Sequence, residues 1–171
     1  SGILKQLEQL SIQKENIVVF SNNPENTIER YNIQAVRLLH KKGNILASIV
    51  TTLKAHTPVI KSLDLLIIGG GGLLMDMYKR DAPLYSSLGM LGHYFRKKVI
   101  IYGVGAGPIT TKPGSFLIRT LANKANIVTV RDNDSKELLK RIGVKNDIDV
   151  IGDPAFSLSG IDKPSRSGVQ K

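Results

Sequence analysis

The sequence contains neither cysteine nor tryptophan, and only 5% of its 171 residues are aromatic. Without cysteine, the chain forms no disulfide, carries no thiolate nucleophile and cannot bind zinc through sulfur. Its three histidines, at positions 40, 56 and 93, follow no spacing typical of metal ligands. No apolar run approaches the roughly 20 residues of a membrane helix. We therefore expect a cytoplasmic protein that holds no metal.

Acidic residues are also scarce, since 14 Asp and Glu stand against 24 Lys and Arg, which gives a formal net charge of +10. Such an excess favours anionic partners: phosphorylated substrates, nucleic acid or an anionic membrane surface. A solvated basic surface is the simpler alternative. Because aromatic residues are few, a platform on which nucleic-acid bases could stack is not expected. We predict that the chain binds no nucleic acid.

The most informative stretch is 64–76, which reads Asp-Leu-Leu-Ile-Ile-Gly-Gly-Gly-Gly-Leu-Leu-Met-Asp. Its apolar run at 65–68 predicts a central parallel strand covered on both faces. The four glycines that follow lack Cβ atoms, so the backbone can adopt positive φ and a ligand can approach its N–H groups. One or two glycines usually suffice for a turn. We therefore favour a ligand-binding loop over a tight turn.

Strand and helix patterns alternate along the rest of the chain, which predicts a Rossmann-like α/β fold with a doubly wound, mostly parallel sheet. Residues 1–158 form this domain, and 159–171 have the composition of a linker or mobile tail. Further strands are predicted at 17–20, 33–36, 99–102, 127–130 and 149–151. Helices are predicted near 3–10, 25–31, 45–55, 85–97 and 116–125, and from a cap at 131–135 to residue 142.

Four features follow the carboxyl ends of predicted strands, which is the edge where open parallel sheets bind ligands. They are the glycines at 69–72, a second glycine-rich loop at 103–107, Arg131 with Asp132, and Asp153 with Pro154. The second loop misses the spacing of the dinucleotide fingerprint, so no nicotinamide cofactor is expected. Their coincidence at one edge predicts a binding site there.

Each candidate side chain has a structural alternative. The Arg131 guanidinium is suited to holding a phosphate or carboxylate, but it can equally pair with Asp132 or Asp153. Asp76 can orient a sugar hydroxyl, act as a general base, or cap the segment after the glycines. Asp153 can simply set a turn before Pro154. For His93, on a predicted helix among apolar residues, we favour a packed role over a catalytic one.

Taken together, these motifs resemble the polysaccharide pyruvyltransferase family, and within it the bacterial enzymes that pyruvylate secondary cell-wall polysaccharide. The resemblance is strongest from residue 64 to 158. It is carried by the stretch 64–76, by Tyr-Gly-Val-Gly-Ala-Gly-Pro-Ile at 102–109, by Val-Arg-Asp at 130–132 with Ser135 and Leu138, and by Asp-Pro-Ala-Phe at 153–156.

The resemblance implies an enzyme that transfers pyruvate from phosphoenolpyruvate to two hydroxyls of a sugar, here N-acetylmannosamine in a lipid-linked precursor, for S-layer anchoring. It requires no cofactor and leaves room for peripheral contact with the inner face of the membrane and for a homo-oligomer. Arg131 matches a family arginine implicated in phosphoenolpyruvate binding. The resemblance assigns Asp76 and Arg131 as catalytic. The substrate-binding residues that it implies along the cleft are Gly70, Gly71, Gly72, Gly105, Gly107, Pro108, Arg131 and Asp153.

The chain departs from the family pattern at both ends. Family members open with a strand and an Asn-x-Gly-Asp-Glu-type loop, and their GT-B-like fold continues into a second domain with further basic residues and histidines. We therefore expect these 171 residues alone to be inactive. Without the first strand of the family pattern, the sheet is left with an open edge. We therefore also expect the strand at 17–20 to pair directly with the strand at 65–68, or a second chain to cover that edge. Two alternatives are the acceptor domain of a GT-B-type glycosyltransferase and a non-catalytic anion-binding module.

Overall fold

The computed structural model describes residues 2–152. These residues form six α-helices, six short β-strands and one turn of 3-10 helix at Lys14–Asn16. The helices are α1 (Gly2–Gln9), α2 (Pro24–Tyr31), α3 (Ile45–Ser62), α4 (Asp81–Tyr94), α5 (Lys112–Lys124) and α6 (Asn133–Arg141). The strands are β1 (Val18–Ser21), β2 (Gln34–Arg37), β3 (Leu65–Gly69), β4 (Lys98–Val104), β5 (Ile127–Val130) and β6 (Asp149–Val150). The alternating order confirms the predicted Rossmann-like α/β fold.

All strand pairs are parallel, and they form two sheets rather than one. Strands β3, β4, β5 and β6 lie side by side in chain order, and β1 pairs with β2 in a separate sheet. The expected pairing of β1 with β3 is wrong, because β1 pairs only with β2 within residues 2–152. Both strands instead keep an edge that bonds to no described strand. The carboxyl ends of all four strands of the larger sheet lie at one edge.

The strand that precedes the four glycines is an edge strand of the larger sheet, not a central one. Along β3 the buried side chains of Leu66 and Ile68 alternate with Leu65, which is 40% exposed, and the half-buried Ile67. A Cβ at Gly89 of α4 would lie 2.9 Å from the Ile68 side chain, so α4 packs closely on this face. The expectation of a strand covered on both faces is therefore wrong: one face is buried under helices, and the other is only partly covered.

Two groups of buried side chains hold the elements together. The larger core has sixteen buried residues from β3, β4, β5, helices α4, α5 and α6, and the segments that connect them. The smaller core lies between α3 and α4 and has four, Ile49, Ile60, Leu84 and Leu88. Phe20 and Leu63 pack against both cores. The larger core is the one that fixes the strand ends at which the candidate site lies.

Three helix boundaries differ from the sequence expectation. Helix α3 runs through Pro58 to Ser62 instead of ending near 55, because Ile60 is fully buried and holds the last turn in the core. Helix α4 begins at Asp81, four residues before the predicted start. Helix α5 begins at Lys112, because the Thr111 side chain caps it by accepting from the Gly114 N–H. Within residues 2–152, no helix combines the length and apolar character needed to cross a membrane.

Candidate functional site

The two glycine-rich loops are paired with each other and continue the β3–β4 ladder past the ends of the strands. The Gly70 N–H donates to the carbonyl of Tyr102, and the Gly105 N–H donates to the carbonyl of Gly71 at 2.8 Å. Farther along, Leu74 forms an isolated parallel bridge with Ala106. The ladder closes where the Asp76 N–H donates to the carbonyl of Pro108 at 3.0 Å. One rigid double loop therefore rises from the two neighbouring strands.

The predicted glycines divide into two groups by what their N–H groups do. Those of Gly70, Gly105 and Gly107 donate to backbone carbonyls inside the double loop. Those of Gly71 and Gly72 have no acceptor among residues 2–152. Gly71 also takes a φ of +66°, which side chains rarely adopt. Among these glycines, Gly71 and Gly72 are thus the ones whose N–H groups are available to an anion.

The Arg131 side chain lies directly against the second loop. A Cβ at position 105 would lie only 2.7 Å from the Nε and Cζ atoms of Arg131, so glycine at 105 lets the guanidinium approach the backbone. Since Gly105 is bonded to Gly71, the guanidinium stands beside the paired loops. It also forms an ion pair with Asp132, with 3.1 Å between Nε and Oδ2, as the structural alternative predicted. The side chain stays 40% exposed, so this pair does not bury the cation.

Asp132 and Ser135 fix the start of α6 and the second loop together. The Asp132 carboxylate accepts from the Ser135 N–H at 2.7 Å and so caps α6. Hydrogen bonds from Ser135, with a smaller effect of Arg131, lower the pKa of Asp132 below its ordinary value. The buried Ser135 hydroxyl in turn accepts from the Ala106 N–H. On the other side, Thr129 accepts from the Gly103 N–H at 2.8 Å. The loop that carries Gly105 is thereby held from both sides.

Asp76 joins the end of the double loop to the start of α5. Its carboxylate accepts from the N–H and hydroxyl groups of both Thr110 and Thr111, with 2.6 Å from the Thr111 N–H. Burial acts to raise the pKa of Asp76, but the hydrogen bonds from Thr111 and Thr110 outweigh it, so the pKa is lowered. Asp76 is therefore held ionised, and it caps a segment 34 residues away rather than its own.

The remaining predicted residues fall in different places. Pro108 lies in the ladder and follows a cis peptide bond, whereas Asp153 and the predicted linker at 159–171 lie outside the described residues. His93 is exposed, so the expectation that it is packed is wrong: it lies in the last turn of α4, where the chain leaves the core. No group of three His, Asp or Glu that could hold a metal ion occurs within residues 2–152.

A buried histidine occurs elsewhere, in the smaller half of the molecule. His56 is 2% exposed, and its Nε2 lies 2.7 Å from the carbonyl of Arg37. Its Nδ1 is buried without a partner in the described part of the chain. Burial lowers the pKa of His56, and the nearby His40 adds to this, although the bond to Arg37 opposes it. Thr52 and Ile60, one turn away on either side in α3, are also buried, so His56 lies on the inner face of the helix.

The family comparison decides what kind of protein carries these loops. The model of the family described as polysaccharide pyruvyl transferase matches residues 1–169 of the 171. The chain belongs to the polysaccharide pyruvyl transferase family. No curated protein and no solved structure matches it significantly. The match confirms the family suggested by the motifs, and it makes the parent activity that of a transferase.

Membership in the pyruvyl transferase family agrees with the chemistry that the strand ends can supply. A site for an anionic ligand needs donors for the ligand's oxygens. The double loop offers the N–H groups of Gly71 and Gly72, and Arg131 offers a cation beside them. The rigid supports, Asp76, Asp132 and Ser135, keep these donors in fixed positions. Neither Asp76 nor Asp132 is poised as a proton donor, because both carboxyl groups are held ionised.

Proposed function

We propose that the strand-end site binds phosphoenolpyruvate and serves the transfer of its pyruvyl group to a cell-wall polysaccharide sugar. The observation that carries the proposal is the Arg131 guanidinium, held over Gly105 beside the paired glycine loops. Phosphoenolpyruvate presents a carboxylate and a phosphate, and a planar guanidinium pairs with either of them through two parallel hydrogen bonds. The family match favours this reading over a glycosyltransferase acceptor domain.

The proposed reaction balances as a ketal formation. Two sugar hydroxyl oxygens bond to C2 of phosphoenolpyruvate, and the bond from C2 to the phosphate oxygen breaks. One hydroxyl proton moves to the methylene carbon, which becomes a methyl group, and the other leaves with inorganic phosphate. Negative charge accumulates on the leaving phosphate, and the proposed role of Arg131 is to stabilise it.

In this proposal the other site residues complete the donor site around Arg131. Gly71 and Gly72 donate their N–H groups to an anionic oxygen of the donor. Gly70, Gly105, Gly107 and Pro108 form the wall of the cleft. Asp76, which accepts from four donor groups of Thr110 and Thr111, acts as a positioning residue that holds the double loop against α5.

Protonation at the methylene carbon needs a general acid. Asp76 and Asp132 are unsuited to this step, because hydrogen bonds lower the pKa values of both carboxyl groups. We therefore expect no acceptor-dependent phosphate release from the 171-residue chain alone, as the sequence also suggested. Acceptor-dependent release by the purified chain would contradict that expectation while leaving the donor site in place.

Calorimetric titration with phosphoenolpyruvate tests the proposed donor site. We expect the wild-type chain to bind, and Arg131→Ala to bind about 10- to 100-fold more weakly, the loss expected for a charge-assisted pair. Arg141→Ala is the matched control, since it removes the same charge from the exposed far end of α6. Equal affinity for Arg131→Ala and the wild type, or equal losses in both variants, would refute the proposal.

A further inference from the structure

One surface outside the strand-end site combines exposed apolar side chains with a local excess of positive charge. From 30 to 63 the sequence contains no Asp or Glu and has Lys or Arg at 30, 37, 41, 42, 54 and 61. The loop between β2 and α3 carries two of these cations, Lys41 and Lys42. Both are exposed, and neither has an acidic partner within residues 2–152.

Helix α3 presents apolar side chains to solvent directly after these lysines. Leu46 is 73% exposed, and Ile45 and Val50 are more than 40% exposed. Leu46, Val50 and the exposed Lys54 follow one another at four-residue spacing, so they share one face of the helix. Because Ile49 and Ile60 are buried on the inner side of α3, this face of the helix points toward solvent. The helix therefore displays an apolar stripe bordered by cations at both ends.

A second segment brings further cationic and apolar groups to the same place. A cleft of about 270 Å³ separates the lysine loop from Arg80, and Lys41, Lys42, Ile45 and Arg80 all line it. Arg80 is preceded in the chain by Met77 and Tyr78, each 58% exposed. Arg80 pairs with Asp81 at 3.6 Å, but its side chain stays 53% exposed. The stripe on α3, the lysine loop and Arg80 are together called the basic-apolar patch.

We propose that the basic-apolar patch docks the protein onto an anionic lipid surface. Lysines next to protruding Leu, Ile and Val side chains are suited to an interface where phosphate headgroups lie above acyl chains, because the ammonium groups meet the phosphates while the apolar groups enter the acyl boundary. A nucleic acid fits this surface less well, because its apolar stripe offers no ring on which bases stack.

One part of the patch lies close to the strand-end site. Arg80 lies between the glycine loop of β3 and helix α4, and the lysine loop faces it across the cleft. Docking through the patch therefore places the start of α4, which follows the glycine loop, near the lipid. The inference that docking brings a lipid-borne acceptor to the donor site rests on the proposed function. The inference of lipid binding itself does not rest on it.

Co-sedimentation of the 171-residue chain with vesicles tests the proposal. Vesicles of phosphatidylglycerol mixed with phosphatidylcholine should bind the chain at low salt, and vesicles of phosphatidylcholine alone should bind it weakly. Lys41→Glu with Lys42→Glu should weaken binding by about 25-fold or more, at about fivefold for each lysine. The control is Lys98→Glu with Lys124→Glu, which changes the charge equally at the opposite edge of the sheet.

A second pair of variants tests the apolar contribution. Leu46→Ser should weaken binding to the anionic vesicles by about fivefold to tenfold, because one leucine side chain no longer enters the bilayer. Leu10→Ser is the matched control, since Leu10 is 72% exposed and lies away from the patch at the end of α1. Circular dichroism confirms that each variant is folded.

The possible results separate the alternatives. Loss with the patch variants and not with the controls supports docking on lipid, whether or not phosphoenolpyruvate binds. Three results would overturn the proposal: equal binding to neutral vesicles, equal losses in patch and control variants, or full binding by Leu46→Ser. The last result, together with equally tight binding of a short RNA, would identify the patch as a site for soluble polyanions.

Discussion

The four-stranded and two-stranded halves of the molecule are stabilised in different ways. Around the larger sheet, sixteen buried apolar residues form one continuous core. The smaller core, between α3 and α4, has four buried apolar residues, and the buried polar side chains of Thr52 and His56 also lie on α3. The β1 side chains are all half-buried. The comparison teaches that the candidate donor site is built on the better-packed half, while the basic-apolar patch projects from the helix of the weaker half.

The largest expected effect comes from truncating one buried side chain in each core. Leu121→Ala, at a position 1% exposed in the larger core, should lower the free energy of unfolding by about 3–5 kcal/mol. Ile49→Ala, at a position 8% exposed in the smaller core, should lower it by about 2 kcal/mol, since its surroundings collapse more easily. Urea denaturation of both variants measures the difference. A larger loss from Ile49→Ala would reverse the comparison.

A smaller effect is expected from the hydrogen bonds by which Asp76 joins the double loop to the start of α5. Asp76→Asn should lower the free energy of unfolding by about 1–2 kcal/mol, because the charged acceptor for Thr110 and Thr111 is lost. Asp147→Asn, at an exposed aspartate, is the control.

The same hydrogen bonds to Asp76 make the stability of the larger half depend on pH in the acidic range. Because the pKa of Asp76 is lowered in the folded state, its stabilisation is complete above the ordinary aspartate pKa of about 4 and is lost as the pH falls through the folded value. Urea midpoints between pH 7 and pH 2 should therefore converge for Asp76→Asn and the wild type. A constant difference at all pH values would show that the carboxylate charge is not responsible.

The smaller half should respond to pH in a different range, through His56. Since burial lowers the pKa of His56, its neutral form is favoured in the folded state, and stability falls as the pH drops below the ordinary histidine value of about 6.5. Hydrogen exchange at pH 7.5 and pH 5 should show protection of the β1 and β2 amides reduced by about threefold to tenfold relative to that of β4 and β5.

Two histidine variants separate His56 from general effects of pH. In His56→Gln the difference in amide protection between the two halves should no longer change with pH. In His93→Gln, at an exposed position, this difference should change with pH as it does in the wild type. Persistence of the change in His56→Gln would assign it to another group.

The smallest effect on stability is expected at Gly105. An added Cβ there meets the Arg131 guanidinium, which is the end of a flexible side chain and can move away, so Gly105→Ala should cost less than about 1 kcal/mol. The displaced guanidinium should nevertheless bind phosphoenolpyruvate about tenfold more weakly. Calorimetric titration measures the affinity and urea denaturation measures the stability, so the two experiments together separate the two effects. Unchanged affinity would show that the position of Arg131 over Gly105 is immaterial.

Much of the fold was accessible from the sequence because it depends on local patterns. Apolar runs such as 65–68 and 99–102 correspond to β3 and β4, and the cap at Asp132 to the start of α6. The place of β3 in the sheet was not accessible, since the number of neighbours of a strand depends on pairing between distant segments. The same reason hid the partners of Asp76, which lie 34 residues away.

The candidate site was only partly accessible for a related reason. A glycine run indicates where a ligand can approach, but which N–H groups are already bonded depends on the partner loop. Gly70 and Gly71 look alike in sequence, yet only the N–H of Gly70 is bonded, to Tyr102. His56 and His93 show the same limit, because both lie on apolar helices and only packing between helices decides which one is buried.

The most direct test of the account is to locate phosphoenolpyruvate on the molecule by nitrogen-15 NMR. The account predicts that adding phosphoenolpyruvate shifts the amide signals of Gly71 and Gly72 and the Nε signal of Arg131, with small changes elsewhere. Shifts confined to Lys41 and Lys42, or no shifts in the paired glycine loops, would contradict the claim that the strand ends of the larger sheet hold the donor.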